Sequence, residues 1–164
     1  MTPPLWLPAM ASVNGEFSEV IARLYEVFCV DFHKSRCWFQ KRPVWWDRRV
    51  LPDGLDYEEG FWHLVTRNDP STRERLLDPR RAERLPWCRP TITHDTDSCV
   101  LAWDRVEGSG KVRTYIWLFD WDYVIILEKK KQRAGEIAFL VTAYHVDGEG
   151  RRRSLRRRYD ERLI

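Results

Sequence analysis

Three features of the 164-residue sequence predict an α+β fold, with N-terminal helices packed on a C-terminal, four- to five-stranded antiparallel sheet. Helical periodicity is confined to the first half of the chain, and short apolar runs with hairpin-length connections fill the second half. Hydrophobic residues make up 43% of the chain, which is enough for a full core. We expect one domain over residues 1–164, divided into an irregular arm (1–14), a mainly helical part (15–96), an antiparallel meander (97–147) and a basic tail (148–164).

The first half predicts two helices. Apolar residues recur at three- and four-residue spacing over about Glu16–Phe32, which is one face of an amphipathic helix. The stretch Lys34–Tyr57 is rich in Trp, Pro and Arg and is typical of a loop with short extended pieces. A second helix is predicted over Ser71–Leu85, restarted where Asp78 can cap a first turn that contains Pro79.

The second half predicts four strands, because apolar runs of strand length are separated by turn residues. Connections this short join antiparallel neighbours, so the strands should form a meander that the helices cover on one face. The predicted strands are Ser98–Val106, Val112–Phe119, Tyr123–Lys130 and Ile137–Val146.

A further strand is predicted at Phe61–Arg67, whose sequence is FWHLVTR. Side chains alternate along a strand, so His63 and Arg67 share a face, and at helical spacing they are neighbours as well. A histidine can move a proton near neutral pH, and an arginine can hold a phosphate through two parallel hydrogen bonds. The segment therefore predicts a site that acts on a phosphate.

The segment Phe139–Val146, FLVTAYHV, supplies hydroxyl groups to the same predicted site. Alternation along a strand places Thr142 and Tyr144 on one face, together with Leu140 and Val146. Hydroxyls on a rigid strand, beside a histidine and an arginine, are sufficient for cleaving RNA without a metal ion.

A purely structural interpretation stays open for each of these residues. His63 lies between Trp62 and Leu64, and a lone histidine in an apolar segment is often buried and bonded to the backbone. Thr142 and Tyr144 are also good strand formers.

The formal charge of +3 conceals an asymmetry along the chain. Residues 129–164 hold eleven Lys or Arg against five Asp or Glu, whereas residues 1–128 carry a net charge of −3. Clustered positive charge is the usual footprint of a nucleic-acid partner, although a solvated tail or helix is the alternative. The residues predicted to bind RNA are Lys129, Lys130, Arg113, Arg151, Arg152, Arg153, Arg156, Arg157 and Arg158.

The order of these elements resembles the phage and toxin ribonucleases of the barnase, EndoU, colicin and RelE superfamily. The resemblance covers about residues 15–160 and depends on FWHLVTR, the segment Arg81–Trp87, the meander ending in FLVTAYHV, and the basic tail. It implies cleavage of RNA by transesterification with no metal or other cofactor, and a neutralising antitoxin or immunity protein as a partner. It implies catalytic roles only for the residues that fall on the two motifs, which are His63, Arg67, Thr142 and Tyr144. A glutamate base like that of barnase is not assigned, because Glu58 and Glu59 precede the histidine segment.

The chemistry assigns a task to each of the four residues. The 2′-hydroxyl needs a base, the departing 5′-oxygen needs an acid, and the phosphorane needs positive or hydrogen-bonding groups. His63 is the base or the acid, Arg67 holds the phosphate oxygens and Thr142 adds a hydroxyl donor. Tyr144 orients the scissile group or, with a lowered pKa, donates a proton.

Other function classes lack their motifs. The sequence has no GxxxxGK[ST], GxGxxG, GxSxG or HExxH. Cys29, His33 and Cys37 have a regular spacing, but no fourth zinc ligand accompanies them. The expected location is the cytoplasm, because no signal or membrane segment is recognised. The four cysteines lack CxxC spacing and should stay reduced there. Trp45 and Trp46 either stack on bases or pack in the core. The rival functions are a non-catalytic nucleic-acid-binding or regulatory protein, and a protein whose basic tail contacts an acidic partner.

Overall fold

The structure, a computed structural model, describes residues 2–164. Among these residues, six strands form one mixed sheet in the order β1-β2-β8-β7-β6-β5, and a separate hairpin pairs β3 with β4. All neighbours in the large sheet are antiparallel except β2 and β8, which are parallel. The strands are β1 Trp38–Phe39, β2 Arg42–Trp46, β3 Thr66–Asn68, β4 Arg75–Leu77, β5 Val100–Val106, β6 Val112–Leu118, β7 Tyr123–Gln132 and β8 Gly135–His145.

The helices lie on both faces of the sheet. Within residues 2–164, no helix combines the length and the apolar character that crossing a membrane requires. The α-helices are α1 Phe17–Phe28, α2 Glu59–Val65, α3 Pro79–Glu83, α4 Cys88–Thr93 and α5 Gly148–Asp160. A π-helical turn, Cys29–His33, follows α1, and two 3₁₀ turns cover Leu85–Trp87 and Phe119–Trp121.

The α+β class and the meander β5–β8 are confirmed, but the predicted four- to five-stranded antiparallel sheet is wrong in its size and pairing. The additional strands β1 and β2 come from the Lys34–Tyr57 stretch, which is predicted to be a loop with short extended pieces. Strand β2 joins because Val44 and Trp46 are buried in the core, which anchors one side of the strand. Trp46 therefore packs in the core, whereas Trp45 is half-buried beneath the guanidinium of Arg48.

The N-terminal helix covers the first face of the sheet as predicted. Its buried residues Val20, Ile21, Leu24 and Phe28 lie at helical spacing and join the main core. Burying a side chain the size of Phe28 contributes roughly 2–3 kcal/mol. The apolar periodicity that extended to Phe32 is continued by the π-helical turn.

The C-terminal basic segment is a helix packed on the second face, and not an unpacked tail. Leu155 of α5 is buried, and Tyr159 contacts the ring of Trp103 edge-on at 5.3 Å. Trp103 in turn stacks on Tyr115 with a centroid separation of 5.0 Å. A narrow apolar stripe therefore fixes α5, and four of its six arginines are exposed.

Two elements differ from the sequence prediction. Phe61–Arg67, expected as a strand, forms α2 followed by the first residues of β3. Ser71–Leu85, expected as a helix, forms a turn, the strand β4 and the short helix α3. The capping prediction within it is confirmed, because Asp78 accepts hydrogen bonds from the first backbone N–H groups of α3 and Pro79 occupies its first turn.

Strand β8 contains a bulge where its parallel partner ends. Val44–Trp46 pair with Ala138–Leu140, and β2 extends no further. On the other side, Leu127 pairs with Leu140 whereas Ile126 pairs with Thr142, so Val141 is the inserted residue. Leu140 consequently belongs to the main core, while Tyr144 and Val146 belong to the second face, and the predicted shared face of all four is wrong.

Close packing between α2 and β2 gives a stability prediction. A methyl group on Gly60 would lie 2.6 Å from Cδ1 and 2.7 Å from Cβ of Trp46, so Gly60→Ala should lower the free energy of unfolding by about 1–3 kcal/mol in a urea titration. Gly150→Ala is the matched control, because nothing lies within 4 Å of its added methyl and alanine favours the helix by about 1 kcal/mol. Equal effects of the two changes would contradict the packing described here.

Candidate active site

The candidate site lies along the part of β8 that β2 leaves open. Beyond Leu140, β7 pairs with one edge of β8, and no strand among residues 2–164 pairs with the other. Helices α2 and α3 contact the strand. A strand edge next to a bulge presents unpaired polar groups and redirected side chains, which is a frequent setting for a functional site.

The end of α2 is joined to β8 by a set of hydrogen bonds. The Thr142 hydroxyl donates to the backbone carbonyl of His63 at 2.9 Å. The Arg81 guanidinium donates to the Thr66 carbonyl at 2.9 Å, and the same nitrogen lies 3.4 Å from both the His63 carbonyl and the Thr142 hydroxyl. Carbonyl groups in the last turn of a helix have no partners within the helix, so these donors satisfy them and hold α2 against the strand.

The first of two adjoining cavities, the His63 cavity, has a volume of about 310 Å³. Its lining brings together three of the four predicted catalytic residues, although they come from α2, β3 and β8. The lining residues are His63, Thr66, Arg67, Asn68, Arg75, Arg81, Val141 and Thr142.

The second, the Tyr144 cavity, has a volume of about 410 Å³ and contains the fourth predicted residue. Arg67 and Arg81 line both cavities, so the two cavities share two positively charged side chains. The lining residues are Arg67, Asp78, Pro79, Arg80, Arg81, Tyr144, His145, Asp147 and Arg151.

The arginines at the His63 cavity differ in how far their charge is neutralised. Arg75 forms a two-pronged ion pair with the buried carboxylate of Glu59, at 2.6 and 2.8 Å. Arg81 has Asp78 at 3.5 Å. Arg67 is exposed and has no carboxylate within 4.0 Å among the residues that the structure describes. Arg67 is therefore the cation most available to an anionic ligand.

The environment of His63 favours its neutral form. Burial lowers the pKa of His63 from its ordinary value of 6.5, and the nearby Arg75 lowers it further, while Glu59 acts in the opposite direction. The imidazole is half-buried and lines the cavity, so it is not enclosed in the dry core. A neutral imidazole near pH 7 carries a free lone pair that can accept a proton.

The two hydroxyl groups have environments that change their expected roles. The Thr142 proton is directed at the His63 carbonyl, so this hydroxyl positions α2 and its proton is not directed at a ligand. Burial raises the pKa of Tyr144, which is opposite to the lowering expected for a proton donor. The Arg81 guanidinium lies over the Tyr144 ring, 5.6 Å from its centroid.

Three residues of the predicted RNA-binding set lie elsewhere on the sheet. Lys129 forms an ion pair with Asp104 at 2.9 Å, and Arg113 lies 3.4 Å from Glu128. Lys130 lies over the ring of Phe139. None of the three lines either cavity.

The six arginines of α5 divide among four surroundings. Arg151 lines the Tyr144 cavity. Arg152 is held by Asp122, with a 2.6 Å hydrogen bond, and by Glu149. Arg158 lies near the Tyr115 hydroxyl. The remaining three line a groove of about 610 Å³, the α5 groove, beside Trp117 and Phe119; they are Arg153, Arg156 and Arg157.

Sequence reasoning missed Arg75, Arg80, Arg81 and His145 as members of the site. Arg81 lies within a segment that carried the family resemblance, but its spacing from the two motifs gave no sign that it would join them. Of the residues weighed as zinc ligands, His33 lies 2.5 Å from Glu58, which also accepts a hydrogen bond from Tyr25.

No family model, curated protein or solved structure matches the chain. The structure shows an α+β protein with two arginine-lined cavities beside an open strand edge. The resemblance to the ribonuclease superfamily remains a hypothesis.

The charge environment of His63 can be tested by NMR titration of its ring protons. Glu59→Gln removes the negative charge that partly offsets burial, so the pKa of His63 should fall further below 6.5. The same change leaves Arg75 unpaired, which acts in the same direction. Glu136→Gln, which breaks the exposed pair with Arg42, is the control and should leave His63 unchanged. A rise in the His63 pKa after Glu59→Gln would contradict this electrostatic account.

Proposed function

We propose that the protein cleaves RNA without a metal ion, by transesterification at the His63 cavity. The proposal depends on one observation: the neutral imidazole of His63 and the unpaired guanidinium of Arg67 line the same cavity. A base and a phosphate-binding cation are two of the three groups that this reaction needs from a protein.

The scissile phosphate would bind to Arg67 and Arg81. Arg67 is exposed and has the freedom to approach from solvent, while Arg81 is held rigidly by the carbonyl of Thr66. A guanidinium presents two parallel N–H donors that match two phosphate oxygens. Both charges would also stabilise the additional negative charge that develops on the phosphorane, which is where a preorganised cation contributes most.

His63 would act as the base. Its neutral imidazole takes the proton of the ribose 2′-hydroxyl, the 2′-oxygen forms a bond to phosphorus, and the bond to the 5′-oxygen breaks. The products are a 2′,3′-cyclic phosphate and a free 5′-hydroxyl. The departing oxygen needs a proton from a second group. In the adjoining cavity the group that carries a proton near pH 7 is the phenol of Tyr144, whose raised pKa keeps it protonated and makes it a weak acid, whereas the lowered pKa of His145 leaves that imidazole neutral.

A second candidate function, nucleic-acid binding without cleavage, is favoured by the α5 groove. Arg153, Arg156 and Arg157 have no carboxylate within 4.0 Å among residues 2–164, and they lie beside Phe119, a half-buried ring that can stack on a base. The groove shares no lining residue with the His63 cavity. Binding through it would therefore persist when the His63 cavity is altered.

The two candidates differ in what happens to RNA in the presence of EDTA. The proposal predicts cleavage with 2′,3′-cyclic phosphate ends, identified by mass spectrometry. His63→Ala should lower the single-turnover rate by roughly 10²–10⁴ and leave RNA affinity nearly unchanged, because the base is lost while the phosphate contacts remain. Arg67→Gln should lower both the rate and the affinity.

The control for Arg67→Gln is Arg133→Gln, which removes an exposed arginine in the β7–β8 turn and should change neither quantity. Intact RNA in EDTA, together with salt-sensitive binding that Arg153→Gln weakens, would replace the enzyme proposal with the binding function. Cleavage that requires a divalent metal would show that the His63 mechanism is wrong.

A further inference from the structure

The Tyr144 cavity contains two arginines, Arg80 and Arg151, that the proposed cleavage step does not use. Four arginines line it against two aspartates. Arg67, Arg80 and Arg151 have no carboxylate within 4.0 Å in the part of the chain that the structure describes. The cavity therefore holds three unpaired guanidinium groups in one concave surface.

The two aspartates do little to neutralise this charge. Asp78 is engaged as the cap of α3, where one of its oxygens accepts hydrogen bonds from the backbone N–H groups of Arg80 and Arg81. Its second oxygen lies 3.5 Å from the Arg81 guanidinium. Asp147 is exposed at the start of α5. The unpaired arginines are exposed, but like charges gathered on one concave surface still repel one another, and an anion placed among them reduces that repulsion.

The geometry of the donors selects a phosphate group. The unpaired arginines come from three separate elements: Arg67 from β3, Arg80 from α3 and Arg151 from α5. A single carboxylate is satisfied by one planar guanidinium, whereas a phosphate presents oxygens in several directions and can accept from donors around it. Tyr144 and His145 add a hydroxyl and a ring nitrogen to the same lining.

The charges around His145 also favour the binding of an anion in this cavity. Burial lowers the pKa of His145, and the positive charges of Arg84 and Arg80 lower it further, while Asp122 and Asp147 act in the opposite direction. The imidazole therefore lies in a net positive field, which is a field that favours an anion.

The position of the cavity connects it to the proposed cleavage site. Arg67 and Arg81 line both cavities, so the two cavities lie side by side. A polynucleotide carries a phosphate at every residue of its chain. A strand with one phosphate in the His63 cavity can thus place a neighbouring phosphate among the remaining arginines.

We propose that the Tyr144 cavity is a second phosphate subsite, which binds the phosphate adjacent to the scissile one through Arg80 and Arg151. The substrate is then a polynucleotide with consecutive phosphates, and a dinucleotide with a single phosphate binds less well. This assignment rests on the proposed function for the name of the scissile phosphate, but phosphate binding in the cavity is measurable without any cleavage.

The test uses non-cleavable 2′-O-methyl dinucleotides, with calorimetry as the measurement. One ligand carries only the internal phosphate, and the others carry an additional phosphate at the 5′ or the 3′ end. At least one terminal phosphate should raise the affinity roughly tenfold or more, the effect of a charge-assisted hydrogen bond. The double variant Arg80→Gln/Arg151→Gln should remove this gain and leave the affinity for the singly phosphorylated ligand unchanged. Arg133→Gln is the matched control and should keep the gain.

The location of the additional phosphate is checked by the ring resonances of His145, which should shift with the terminally phosphorylated ligand and not with the other. No gain from either terminal phosphate, or a gain that the double variant retains, would overturn the subsite. Inorganic phosphate that binds the cavity as tightly as the phosphorylated dinucleotide would overturn the polynucleotide assignment. Intact RNA in EDTA with the affinity gain preserved would instead refute the cleavage proposal alone.

Discussion

The candidate site depends on the contact between the last turn of α2 and the open edge of β8. Thr142 donates to the His63 carbonyl, and Arg81 donates to the Thr66 carbonyl beside it. The first bond satisfies a carbonyl in the last turn of α2, and the second satisfies a carbonyl at the start of β3. An unpaired acceptor in a half-buried position is destabilising by about 1–3 kcal/mol. These bonds therefore hold the end of α2 that carries His63 against β8.

Arg81 holds the backbone at the end of α2 and also adds a positive charge to both cavities. Its guanidinium completes the end of α2, and burial lowers its pKa although the group remains cationic. Because it lines both cavities, a substitution there would remove a helix cap and a phosphate-binding charge together. Arg67 and Arg151 are free of structural hydrogen bonds of this kind, so the proposed ligand-binding charges can be changed while the support remains.

Residue spacing predicted the elements for which it fits only one type of local structure. These are α1, the four strands of the meander and the Asp78 cap. Residue spacing failed at FWHLVTR, because His63 and Arg67 are neighbours in either geometry and local spacing does not choose between them. Tertiary contacts decide, since the first N–H groups of α2 donate to the backbone carbonyls of Arg49 and Asp47, and Gly60 packs on Trp46. Reasoning from the sequence placed His63, Arg67 and Thr142 in one expected site. Arg81 joins them where β2 ends at the bulge of β8. This is a long-range feature, and local residue spacing does not predict it.

The most direct test of the account is a crystal structure of the protein with a bound 2′-O-methyl dinucleotide. The account predicts a phosphate among Arg67 and Arg81, with the 2′-oxygen about 3 Å from a ring nitrogen of His63, the distance that proton transfer requires. A ligand found only in the α5 groove, with the His63 cavity filled by water, would contradict the assignment of the active site.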